Sequence, residues 1–239
     1  VATDIAVDHL TKQFGPVRAV DDLSFTVRPG AVTGFLGPNG AGKTTTLRMV
    51  LGLVRATSGR ALIGGRRYDE IERPAATVGA ALEASSFHPG RTGLDHLRVY
   101  APQIGVPESR CHEVLEFVGM ADAAKRRVGG YSMGMRQRLG LAYALLGDPS
   151  VIVLDEPANG LDPQGIVWLR ELLRAFAAQG RTVLVSSHVL GEVQHTVDDV
   201  VIIAEGRLVH ASSLDELKEL AETRGRVAGP EQAALADLA

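Results

Sequence analysis

The segment Gly37-Pro38-Asn39-Gly40-Ala41-Gly42-Lys43-Thr44 follows the apolar run Ala31 to Leu36. It precedes Thr44 to Val54, where Leu47, Val50, Leu51 and Val54 recur at helical spacing. A strand, a glycine-rich turn and a helix in that order, carrying G-x-x-x-x-G-K-[ST], form a cradle for a polyphosphate. Glycines let backbone N–H groups wrap an anion, and the helix N-terminus adds its dipole. Lys43 is placed to reach the β- and γ-phosphates, and the Thr44 hydroxyl to ligate Mg2+. The competing reading is a glycine-rich turn with an exposed lysine. The chain has only four lysines, at 12, 43, 125 and 218, so one falling at this point of the pattern disfavours that reading.

A second group is Val151-Ile152-Val153-Leu154-Asp155-Glu156, an apolar strand that delivers two carboxylates at its C-terminal end. Parallel α/β sheets bind their ligands at that end. Asp155 is the expected Mg2+ partner, and Glu156 is placed to polarise a water for in-line attack on the γ-phosphate. A strand ending in Asp-Glu before a proline is ordinary on its own; the phosphate loop gives it meaning.

These residues need a scaffold, and the flanking sequence supplies one. Ile5 to Val27 reads as short strand-like runs broken by Gly15-Pro16, the pattern of an antiparallel N-terminal sheet. Thr92 to Gly147 reads as helical: Thr92 and Asp95 make a capping-box-like start, and Pro107 opens a second segment that stops at Gly119. Val151 to Leu154 and Thr182 to Val185 have the composition of strands buried on both faces. Between them, Ile166, Leu169, Leu172, Leu173 and Phe176 share one helical face, which Gly180 ends. Val200 to Ala204 and Arg207 to Val209 flank Glu205-Gly206 as a hairpin, and Ser213 with Glu216 caps a closing helix. The fold class is α/β: a parallel core with an antiparallel N-terminal subdomain and a helical subdomain inserted at about residues 84–140. Residues 1–223 form the main unit and 224–239 a peripheral tail.

Composition narrows the function further. With 239 residues, 45% hydrophobic and 22% charged, the chain can bury a core and is neither disordered nor collagen-like. A net charge of -3 argues against general phosphate neutralisation of nucleic acid. Cys111 is the only cysteine, which excludes an internal disulfide and suits a reducing cytoplasm. The longest stretch without Asp, Glu, Lys or Arg, Pro29 to Gly42, falls short of the roughly 18 apolar residues of a membrane span. Val1 to Leu10 lacks the basic-then-apolar pattern of a signal peptide.

Tyr131-Ser132-Met133-Gly134-Met135, followed by Arg136-Gln137-Arg138 and an apolar helix, stands ahead of the carboxylate strand. With the two groups above, it resembles the ATP-binding subunits of ABC transporters over roughly residues 4 to 220. The segment stands where that family carries Leu-Ser-Gly-Gly-Gln: Ser132 and Gly134 match, whereas Met133 and Met135 depart. The resemblance implies a P-loop NTPase with a RecA-like core that binds ATP through Gly37, Pro38, Asn39, Gly40, Ala41, Gly42, Lys43, Thr44 and Thr45. It implies that two copies pair head to tail, with Ser132 and Gly134 of one facing Lys43 of the other. Ser132 is also readable as an ordinary helix N-cap.

Further positions follow from the same resemblance. His188 stands where the family has a switch histidine at the γ-phosphate, and is otherwise a surface residue. Asp162, in Asn159-Gly160-Leu161-Asp162, lies in the loop by which each site senses the other, and before Pro163 it is equally an N-cap. Phe14 stands where an aromatic ring stacks on adenine, with a core phenylalanine as the alternative. Glu83 replaces the usual glutamine and becomes a candidate Mg2+ ligand beside Thr44 and Asp155. Glu83 and the altered signature are most like the antibiotic-export branch, similar to daunorubicin- and bacitracin-resistance ATPases. The implied protein hydrolyses ATP on the inner face of the cell membrane and powers export of a drug, antibiotic or lipid-like compound through the separate transmembrane permease to which it is attached. A cytosolic ABC-type regulator without transport is the alternative; no Asn-Lys-x-Asp signature supports a GTPase.

Overall fold

The computed structural model describes residues 3–82 and 87–227. Ile5–Phe14 (β1) and Val17–Val27 (β2) form an antiparallel hairpin, and Ser58–Ile63 (β4) pairs antiparallel with the other edge of β1. The third strand gives little sequence signal, because Ser58, Gly59 and Arg60 are exposed and no apolar alternation marks them.

The larger sheet has six strands in the order β5-β6-β7-β3-β8-β9. These are Val32–Leu36 (β3), Val78–Ala81 (β5), Val151–Leu154 (β6), Thr182–Ser187 (β7), Asp199–Ala204 (β8) and Arg207–Ser213 (β9). Pairing is parallel from β5 through β8, and the β8–β9 hairpin is antiparallel. The near-continuous apolar runs reflect burial on both faces. Ile152 and Leu154 of β6, Val183 and Val185 of β7, and Val200 of β8 point into one core, while Val151, Val153, Leu184 and Val201 point into the other. The first core lies under the helices and the second under the antiparallel sheet. Each fully buried aliphatic side chain contributes about 1.5–3 kcal/mol relative to exposure.

Lys43–Val50 (α1) follows β3. The helix is shorter than the predicted Thr44 to Val54. Gly52 lies in the left-handed region, and the N–H groups of Leu53 and Val54 turn back onto the Arg48 carbonyl at 2.8 and 3.2 Å. Val54 keeps its place in the apolar pattern because it packs on the core beneath the antiparallel sheet.

A short helix, Pro74–Thr77 (α2), precedes β5, and three longer ones lie between β5 and β6: Gly93–Ile104 (α3), Glu108–Phe117 (α4) and Met133–Ala144 (α5). Thr92 caps α3 by accepting from the Asp95 N–H at 3.0 Å, as the sequence predicts. Pro163–Ala178 (α6), Leu190–Val193 (α7) and Leu214–Val227 (α8) complete the fold. At the start of α8, Ser213 and Glu216 exchange side-chain bonds to each other's N–H, both 3.2 Å.

Candidate active site

The parallel strands bring their C-terminal ends to one edge, and the loops leaving β3, β6 and β7 meet there. Residues 37–42 leave β3 as a turn. The α1 N-cap Gly42 has φ 101° and no side-chain cap bond, so the N–H groups of the first turn, Lys43 to Thr45, have no partner within the helix. A Cβ at Gly42 would sit 2.5 Å from the Ala19 carbonyl of β2, so both conformation and space require glycine.

Lys43 is 6% exposed and folds back over its own loop. Its Nζ donates to the Gly37 carbonyl, reaches the Pro38 carbonyl at 3.3 Å, and lies 3.3 Å from Glu156 Oε1. An ammonium this buried needs such partners, since an unpaired buried charge is costly. The surrounding cavity is lined by Pro38, Asn39, Gly40, Thr44, Thr45 and Glu156, with Ala19 at its rim.

The loop after β6 supplies the carboxylates. Thr44 Oγ1 donates to Asp155 Oδ2 at 2.7 Å, and Ser186 Oγ, at the end of β7, donates to Asp155 Oδ1. The same Ser186 Oγ accepts from the Glu156 N–H at 2.9 Å. Glu156 has φ 48°, a left-handed conformation that costs a residue with a side chain about 1–2 kcal/mol. Its carbonyl accepts from Gln137 Nε2 at 3.2 Å, and its Oε2 lies 2.9 Å from His188 Nδ1. The two carboxylate oxygens of Glu156 therefore face different partners, Lys43 and His188.

Thr44 and Asp155 present a hydroxyl and a carboxylate within bonding distance of each other, a hard-oxygen pair that suits Mg2+. Among the described residues, no three His, Cys, Asp or Glu side chains group as a metal cage. One carboxylate completed by phosphate oxygens and water is how Mg2+ is usually held. Glu83 lies outside the described residues.

Ser132, Gly134 and Asp162 gather elsewhere. Ser132 is exposed at the N-cap of α5 and accepts from the Met135 N–H at 3.2 Å. A Cβ at Gly134 would lie 2.8 Å from the Gly160 carbonyl, and one at Gly160, where φ is 77°, would collide with Met133. Asp162 caps α6 by accepting from the Gly165 N–H at 2.8 Å. Among the described residues, none of these bonds to the phosphate loop. Both N-cap readings of the sequence are therefore realised. Phe14 ends β1 with 48% exposure and Lys12 Nζ 4.7 Å from its ring centre, so it is not a core residue.

Sequence reasoning assigned no role to Ser186, Gln137 or Ala19. Ser186 alone carries a visible signal: with Ser187 it follows the apolar run Val183 to Val185 at the end of β7.

A family model described as ABC transporter matches residues 20–159, more than half of the chain. The chain belongs to the ABC transporter family. As an ABC ATP-binding subunit it binds and hydrolyses ATP to power a transporter. The bacitracin transport ATP-binding protein BcrA of Bacillus licheniformis is 42% identical over 222 residues, covering 92% of this chain and 72% of that protein. The lantibiotic transport ATP-binding protein SrtF of Streptococcus pyogenes is 35% identical over 218 residues, 91% of this chain and 94% of that protein. The solved structure of an ATP-binding subunit of an ABC transporter superposes with TM-score 0.83 at 27% identity, over 98% of this chain and 97% of that one. The dimeric cassette MJ0796, at 20% identity and TM-score 0.80, covers 88% of this chain and 98% of its own and shares the fold. Among the described residues of this ABC ATPase, no helix is long and apolar enough to cross a membrane.

Proposed function

We propose that two copies of this ABC ATPase close head to tail over two ATP molecules and drive export of a peptide antibiotic or similar amphiphile through a separate transmembrane permease. The observation that carries the catalytic part is the cluster of Lys43, Thr44, Asp155, Glu156 and His188 where β3, β6 and β7 end. The free amides of the first turn of α1 and the residues 37–45 hold the phosphates. Lys43 exchanges its carbonyl and Glu156 contacts for β- and γ-phosphate oxygens. Glu156, released from Lys43, takes a proton from the attacking water, and His188 orients the carboxylate and contacts the γ-phosphate. Thr44 and Asp155, with Glu83 as a third ligand, hold Mg2+, which when bound neutralises phosphate charge. Phe14 offers its exposed ring to adenine.

Ser132 and Gly134 serve the partner copy. An exposed N-cap serine at a helix start with free N–H groups is what a second chain's γ-phosphate needs. Asp162 and its loop, packed against the same helix start, report closure between the two sites. Residues 1–223 form this ATP-binding unit, with the inserted helical part at about 84–140; of the tail from 224, residues 228–239 lie outside the described residues. The permease docks against the helical part, where Leu53, Tyr68, Tyr100 and Tyr143 line a groove beside α1. The chain then sits on the inner face of the cell membrane through that partner, without contacting nucleic acid.

The cargo class rests on the relatives, which are named for bacitracin and lantibiotic transport. No relative named here supports a regulator without transport. The test is ATPase activity of the reconstituted ATPase–permease complex titrated with bacitracin and with a lantibiotic. Stimulation by such peptides is expected; a rate indifferent to all of them contradicts the cargo assignment.

A further inference from the structure

Glu156 is held at its backbone as well as at its carboxylate. A residue preceding a proline is normally extended, yet Glu156 precedes Pro157 with φ 48°. Two side chains fix that peptide from opposite ends: Ser186 Oγ takes its N–H at 2.9 Å, and Gln137 Nε2 donates to its carbonyl at 3.2 Å. Gln137 sits on α5, the helix capped by Ser132. Half-buried, it lines a small, mostly apolar cavity with Leu141, Leu154, Pro157, Leu161 and Trp168, where the one charged neighbour, Arg138, is turned onto the Val118 carbonyl and the Trp168 ring. A half-buried amide beside apolar side chains is disfavoured unless its hydrogen bond is made, and here the Glu156 carbonyl accepts it.

We propose that Gln137 is a positioning residue for hydrolysis: its amide holds the Glu156 carbonyl so that the strained backbone keeps the carboxylate aimed between Lys43 and His188. This rests on the reading of Glu156 as the base. It also joins the two half-sites within one chain, because the helix that offers Ser132 to a partner's phosphate grips the carboxylate serving the chain's own nucleotide.

In the full chain, Gln137→Met keeps the length and apolar packing but removes the donor. The expected result is a kcat about tenfold lower with KM and Kd for ATP within about twofold, since the nucleotide contacts are untouched. Gln137→Glu supplies a second readout. Ionised, it sets a carboxylate against a carbonyl and loses activity; protonated, it donates to the same carbonyl. Its rate relative to wild type at each pH should therefore recover as pH falls toward the carboxyl range near ~4.3. A wild-type kcat in Gln137→Met, or a fall in kcat matched by an equal loss of ATP affinity, overturns the inference. So does a Gln137→Glu ratio that is flat with pH, which decides the matter if Gln137→Met folds poorly. Glu156→Gln separates the two claims. If that variant turns over normally, the base assignment fails; if it is inactive while Gln137→Met is normal, only the positioning role fails.

Discussion

The phosphate loop and the start of α5 are both helix N-termini in the same chain, and they are finished to different degrees. At the first, a buried lysine, two carboxylates, a serine and a histidine bond to one another across β3, β6 and β7. At the second, an exposed serine makes one capping bond, and the neighbouring contacts are steric packing against Gly160. The difference teaches that one site is a complete polar cluster in a single chain, whereas the other is an exposed helix start that, among the described residues, makes only a local cap and packing contacts. The head-to-tail pairing proposed above would set a partner's nucleotide opposite the second site.

Lys43→Ala attacks the finished site most severely. It removes a charge-assisted phosphate contact and leaves Glu156 without its cation, and ATP affinity should fall by about a hundredfold or more in a nucleotide titration. Glu156→Gln should lower turnover by about 10²–10⁴-fold while ATP still binds, read by phosphate release beside binding.

His96 tests the region that carries the unfinished site. It is 5% exposed on α3, among Phe87, Tyr100 and Tyr143, and burial, assisted by Arg91, lowers its pKa from 6.5 to about 4. Between those values the unfolded chain binds more protons than the folded one. The contribution is therefore fully present above pH 6.5 and is lost as pH falls toward about 4, by about 3 kcal/mol. Urea unfolding across that window should show the slope, and His96→Phe should flatten it. The smallest effect is expected from Ser132→Ala, which removes a cap worth about 1 kcal/mol and leaves ATP affinity of the single chain unchanged.

The finished site was also the more legible. Residues 37–45 and Asp155-Glu156 are contiguous in sequence, so strand, turn and helix could be read around them, and the alternating two-sided core follows from the same apolar runs. Ser186, Gln137 and Ala19 act on residues far away in the chain, and spacing carries no trace of such contacts. The N-cap readings of Ser132 and Asp162 were legible because capping is local. The length of α1 was not, because Val54 continues the helical spacing while packing from a turn beyond Gly52. Phe14 could not be placed by residue type, since an aromatic after a strand fits core and surface equally; its exposure removes the core reading.

Sedimentation velocity with saturating Mg·ATP tests the pairing of the two half-sites most directly. The Glu156→Gln chain should sediment as a dimer, and the same chain carrying Ser132→Arg as a monomer, although both bind ATP with the same affinity. Equal dimerisation of the two would show that the start of α5 does not complete a partner's site.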